Sequence, residues 1–217
     1  MSRLLIQNAS AIVTCDDEDS ILRNTDLLIE NGVITQIGRG VPQADEVIDA
    51  SDCIVYPGLV NTHHHLYQTF SRNLPEVQNL ELFDWLTALY RIWERLNEDV
   101  IYHSSLTGMG ELLKSGCTTC FDHHYVFPGG DSRHFLGAQF AAAKELGIRM
   151  YASRGSMDLS RKDGGLPPDS VVQSVDEILR DSACAVESFH DPSPYSMSMV
   201  ALAPCSPFSA SKELYLR

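Results

Sequence analysis

The chain has 217 residues, 44% of them apolar, and a formal net charge of -13. That charge argues against a nucleic-acid-binding surface, because phosphate contacts need clustered Lys and Arg, and no apolar run reaches the roughly eighteen residues of a membrane-spanning helix. With that charge a small neutral substrate is expected and, ahead of the first strand, no signal peptide; Cys15, Cys53, Cys117, Cys120, Cys184 and Cys205 lack the spacing of a disulfide framework, so a reducing cytoplasm is expected.

The opening stretch is β-rich. Leu4-Leu-Ile6 and Ala11-Ile-Val13 are strand-like. Asp26-Leu-Leu-Ile-Glu30 and Val33-Ile-Thr-Gln-Ile37 flank Asn31-Gly32, the strongest short hairpin signal, because a type I′ turn needs positive φ at both positions. With Val47-Ile48 and Cys53-Ile-Val55, residues 1–56 predict a small antiparallel β-domain.

A second domain, residues 57–217, opens on Pro57-Gly-Leu-Val-Asn-Thr-His63-His64-His65-Leu-Tyr-Gln68. If residues 58–65 are extended, side chains alternate, so His63 and His65 share one face while His64 points away. Two neutral imidazoles are half of a zinc seat, since catalytic zinc takes three or more protein ligands and keeps a position open for water. The alternative is a polar strand end where histidines happen to cluster.

Helices then alternate with short strands. Leu82, Phe83, Leu86, Leu89, Tyr90, Trp93 and Leu96 recur at helical spacing, and Asn97-Glu-Asp caps a second helix that stops at Gly116. Thr118-Thr-Cys-Phe-Asp122 reads as a strand, Phe135 to Leu146 as a helix ending at Gly147, and Ile148 to Arg154 as the next strand. A Gly/Pro/Asp-rich loop over residues 155–169 has the length of a lid or binding loop. Ser170-Val-Val-Gln173 matches a capping box opening a fourth helix, with Val171, Val175, Ile178 and Phe189 as its apolar stripe. Asp191-Pro-Ser-Pro194 is a turn, Met199 to Ala203 a fourth strand, and a helix follows. Cys117-Thr-Thr-Cys120 has redox spacing, but a separation of three in an extended segment puts the sulfurs on opposite faces.

Strands alternating with helices imply parallel βαβ units, and four such units are half of a closed eight-stranded barrel. The expectation is an α/β chain that forms the N-terminal part of a protein about twice as long; an open four-stranded sheet is the alternative.

Pro-Gly-Leu-Val-Asn-Thr-His-x-His resembles the first-strand signature of the amidohydrolase superfamily, and His63-x-His65-x-x-Gln68 resembles that of its guanine deaminase relatives. The resemblance covers residues 3–217. It implies a (β/α)₈ TIM-type barrel preceded by a small β-sandwich, with zinc rather than iron held by His63 and His65 and by later residues beyond Arg217, where the catalytic groups are also expected. It implies hydrolytic deamination: zinc lowers the pKa of water, hydroxide attacks an amidine-like ring carbon, and carboxylates carry protons to the leaving ammonia.

Gln68 matches a substrate-contacting amide, and Trp85 an aromatic near the pocket. Cys205, in Ala203-Pro-Cys205-Ser-Pro-Phe208, stands where relatives carry Arg or His. A thiol cannot supply the forked donors of Arg, so the branch resembled is that of 8-oxoguanine deaminase and hydroxyatrazine aminohydrolase, as Asp122-His123-His124-Tyr125 and Arg154-Gly-Ser-Met157 also suggest. Of His123 and His124 only one can face the barrel mouth, and His124 is the expected one; His103, His134 and His190 match no ligand motif. Guanine deaminase, an s-triazine hydrolase, and a noncatalytic half-barrel with a binding or assembly role are the alternatives, and homo-oligomerisation is open.

Overall fold

The structure, a computed structural model, describes residues 2–129 and 131–217. The chain divides into two compact units, Met1–Gly58 and Leu59–Arg217.

The first unit is one sheet. Strand β1 (Arg3–Val13) pairs antiparallel with β2 (Ile21–Glu30), which pairs antiparallel with β3 (Val33–Gly38). The hairpin forms as the dipeptide requires: Asn31 and Gly32 have φ of 53° and 81°, and Glu30 pairs with Val33. Strands β4 (Glu46–Asp49) and β5 (Ile54–Val55), however, run parallel to β1 along its other edge. The antiparallel expectation is therefore corrected to a mixed sheet. Residues 39–45 carry the chain from the far edge back to the start of β1, and a parallel neighbour needs such a crossover. Ala9, Ile12, Leu27 and Ala50 form its buried core.

The second unit is a parallel sheet of β6 (Leu59–Asn61), β7 (Cys117–His124), β8 (Arg149–Ser156) and β9 (Ser198–Pro204), in that order. Helices α1 (Leu82–Trp93), α2 (Glu98–Lys114), α3 (Ser132–Leu146), α4 (Val175–Phe189) and α5 (Lys212–Leu216) alternate with the strands. Asn97 caps α2 by accepting from the Val100 N–H at 3.0 Å, and α3 ends on Gly147 in the left-handed region, φ 72°. The sheet-paired part of β6 stops at Asn61, earlier than the extended reading of residues 58–65.

The fourth helix starts later than expected. Ser170 lies in a short 3₁₀ turn, Asp169–Val171, and its hydroxyl donates to Glu94 at 3.0 Å. The box that forms is Ser174 with Glu177: the Ser174 N–H donates to Glu177 at 2.8 Å and the Ser174 hydroxyl accepts from the Glu177 N–H at 3.4 Å. Val171 is buried all the same, but outside the helix, beside Tyr90, Trp93 and Met157.

Two buried clusters support the sheet. Met109, Cys120, Leu136, Ala142, Met150, Ala185 and Val200 fill the space between strands and helices, while Tyr67, Trp93, Ile101, Phe127 and Phe135 pack above it. Trp93 is 1% exposed and donates its indole N–H to Ser71 at 3.1 Å, so its polar edge is satisfied. Arg154, wholly buried, pairs with Asp181 of α4 at 2.8 Å and lies 4.4 Å from the centre of the Phe127 ring. Asp181 also accepts from the Ser132 N–H at the start of α3. One ion pair thus ties β8, α3 and α4 together.

Candidate active site

Beyond Asn61 the chain leaves the sheet and turns into a 3₁₀ segment, Leu66–Ser71. The alternation survives the loss of pairing. The His63 and His65 rings lie 5.0 Å apart, edge to face, on one pocket wall. His64 points toward α2, where a Cβ on Gly108 would lie 3.6 Å from its ring.

Three hydrogen bonds fasten this segment to β7. The His123 N–H donates to the His64 carbonyl at 2.8 Å, His65 Nδ1–H donates to the His123 carbonyl at 2.7 Å, and the Leu66 N–H donates to Asp122 Oδ1 at 2.6 Å. A carbonyl can only accept, so the His65 proton sits on Nδ1 and Nε2 carries the free lone pair. Burial holds the His65 pKa below its ordinary value, against the pull of the His123 carbonyl. Imidazole that stays neutral at pH 7 is the form that ligates a cation.

The pocket has a volume of about 480 Å³, within the range of small-molecule sites. His63, His65, His123 and Tyr125 form one wall; Cys205 and Phe208, after β9, form another; Leu82, Phe83, Leu86 and Tyr90 of α1 close a third. Phe83 and Phe208 meet edge to face at 5.0 Å. The loop after β8 adds Met157 and Leu166, and backbone bonds from Asp158, Leu159 and Leu166 to Ser209 and Phe208 hold it in place.

Which histidine of β7 faces the mouth is corrected. His123 lines the pocket, its ring 5.6 Å from that of His65, whereas His124 has no exposed surface and packs against Tyr67, Phe127 and Phe135. His124 shares its face of β7 with Cys120 and Asp122, all wholly buried, and that face looks toward the helices. Its Nε2–H donates to the Val126 carbonyl at 3.0 Å, and burial depresses its pKa to about 3.

Cys205 stands in the pocket with the histidines. Burial raises its thiol to about 12, so it presents a neutral S–H, and its Sγ lies 4.0 Å from His123 Nε2. Gln68 and Trp85 are not brought in beside them. They line an adjoining depression, where Gln68 Nε2 donates to the Tyr67 hydroxyl at 3.2 Å and the Tyr125 hydroxyl at 3.5 Å, and Trp85 packs on Trp93. Tyr125 borders the pocket, and burial raises its phenol to about 12. His103 and His134 are exposed on helices, and His190 Nδ1 is engaged at Val200. Cys117 and Cys120 are buried free thiols, and burial pushes Cys120 to about 12.

Residues 54–217 match the model of the amidohydrolase family. The chain belongs to that family. It is 43% identical over 218 residues to 8-oxoguanine deaminase of Pseudomonas aeruginosa, a match covering 99% of this chain and 48% of that protein. It is 36% identical over 229 residues to hydroxydechloroatrazine ethylaminohydrolase of Pseudomonas sp. (strain ADP), covering all of this chain and 48% of that protein. Its fold superposes with a TM-score of 0.90 on the crystal structure of atrazine chlorohydrolase from Arthrobacter aurescens TC1 complexed with zinc, at 31% identity, over 98% of this chain and 49% of that one. The chain spans about half the length of the curated relatives it matches.

The donor set of this amidohydrolase fits a borderline divalent cation in part. His63 and His65 offer two imidazoles on one wall, and the Nδ1 anchor of His65 is the backbone partner that ligating histidines use. Among the described residues no group of three or more His, Cys, Asp or Glu is arranged to hold a metal ion.

The loop anchors and the His123 wall escape sequence reasoning. Asp122-His123-His124 does show that residues 122 and 124 share a face, but which face is buried depends on where α2 and α3 land.

Proposed function

We propose that this chain forms the N-terminal half of the site of a zinc-dependent aminohydrolase acting on an oxidised purine such as 8-oxoguanine. His63 and His65 on one pocket wall, with Cys205 beside His123 in the same pocket, carry the reading. A cation held by the two histidines would supply a Lewis acid that lowers the pKa of water and polarises the ring. The chain's own contribution is binding. Leu82, Phe83, Leu86 and Phe208 give a mostly apolar slot for a planar neutral ring. Cys205, as a neutral thiol, accommodates a ring edge without the charge or forked donors of an Arg. His123 and Tyr125 offer a neutral polar edge beside it. Gln68 and Trp85 touch the substrate if it extends past Tyr125 into the adjoining depression.

Six free thiols support a reducing compartment, the cytoplasm. Among the described residues no helix is long and apolar enough to cross a membrane, and the charge of -13 disfavours nucleic acid.

The apolar walls also suit an alkylated s-triazine, the second reading. Ammonia or amine release from 8-oxoguanine, guanine and a hydroxylated alkylaminotriazine separates the two. A polypeptide of the relatives' full length is expected to turn over 8-oxoguanine best and guanine poorly, and the 217-residue chain none. Preference for the triazine moves the assignment to the second reading; turnover of none of the three removes both.

A further inference from the structure

We infer that Asp122 is a positioning residue for the His63–His65 pair, capping from β7 the turn on which those rings are mounted. The inference rests on the reading that the two histidines hold the cation.

The turn at Leu66–Ser71 begins at His65, whose side chain does not cap it. A helical start leaves its first N–H groups without intrahelical partners. Leu66 has no exposed surface, so its N–H cannot turn to water. Asp122 Oδ1 accepts that N–H at 2.6 Å, while Oδ2 accepts from Gln139 Nε2, also at 2.6 Å. Asp122 is itself wholly buried and has no cationic partner among the described residues. A carboxyl group in such a place is costly unless it is hydrogen-bonded, and its two bonds divide its work. The one through Oδ2 holds Gln139 of α3. The one through Oδ1 reaches the residue next to His65 and sets where the backbone leaves the extended path. With the His123–His64 and His65–His123 bonds it forms three successive pins, so removing Oδ1 frees the segment at the point where ring direction is decided.

Imidazole ¹⁵N spectra of the 217-residue protein, without metal and during titration with Zn²⁺ alone, test this. In the wild type His65 should show the Nδ1–H tautomer, and zinc should shift the His63 and His65 rings. Asp122→Asn keeps an acceptor for Leu66, and a turned Gln139 can accept from its amide, so tautomer and zinc affinity should match the wild type. Asp122→Ala should lose the single tautomer and bind zinc about 10- to 100-fold more weakly. Gln139→Leu removes the other bond and should lower the melting temperature while leaving tautomer and affinity unchanged.

Wild-type behaviour of Asp122→Ala, or a loss in Gln139→Leu as large as in Asp122→Ala, overturns the inference. Should Asp122→Ala not fold, the other two variants decide, since a lost tautomer in either contradicts the assignment. Zinc that moves neither ring in the wild type refutes the ligand reading instead, and the metal-free tautomers still decide the role of Asp122.

Discussion

Burial drives Asp122 and His124, two residues apart on the same face of β7, in opposite directions. It raises the Asp122 carboxyl to about 7 and depresses His124 to about 3, because in each case the neutral form is favoured. The contribution of Asp122 to stability is fully present below about pH 4 and is lost as pH rises toward 7; that of His124 is present above about pH 6.5 and is lost as pH falls toward 3. Between about pH 4 and 6.5 the two slopes, each about 1.4 kcal/mol per pH unit, oppose each other. His124→Gln should therefore gain on the wild type as pH falls through this window, and Asp122→Asn as pH rises through it. Urea unfolding across the window checks both, and parallel curves for all three proteins would sink the pairing. Gly155 sets a second residue-scale constraint. A Cβ there would lie 2.5 Å from the His124 carbonyl oxygen and from Tyr125 Cβ, whereas one on Gly110 meets nothing within 4 Å. Gly155→Ala should cost about 1–3 kcal/mol and Gly110→Ala should be neutral or stabilising by up to about 1 kcal/mol, read by thermal unfolding.

Among the elements, those with a local chemical signature are where the sequence puts them. The Asn31-Gly32 hairpin, the Asn97 cap and the Gly147 terminus each depend on one or two backbone conformations that neighbouring residues dictate. The fourth helix shows the limit of that logic. Ser170 and Ser174 both precede a residue able to complete a box, and the choice falls to Ser174 because Val171 is drawn into the cluster around Trp93, leaving Ser170 to pair with Glu94. Ser174→Ala should cost about 1 kcal/mol and Ser170→Ala less than about 0.5 kcal/mol, compared by denaturant midpoints. Equal losses would contradict the cap assignment.

For the whole molecule, the parallel sheet ends on β6 and β9, and both carry exposed apolar side chains: Leu59 is 61%, Val60 60% and Leu202 57% accessible. Unpaired strand edges with apolar faces template association. The 217-residue chain should therefore self-associate as its concentration rises, and Leu202→Lys should reduce this in sedimentation velocity; a concentration-independent monomer would refute it. The amino-acid sequence by itself determined the alternation of strands and helices, the hairpin, most helix ends and the shared face of His63 and His65, because these follow from backbone periodicity and turn stereochemistry within a few residues. Only the tertiary structure decided that β4 and β5 run parallel to β1, that His123 and not His124 looks into the pocket, and that Gln68 and Trp85 stand in a neighbouring depression. Those outcomes depend on which face of a strand the distant helices cover, and burial of that kind is a property of the packed chain that no local pattern encodes.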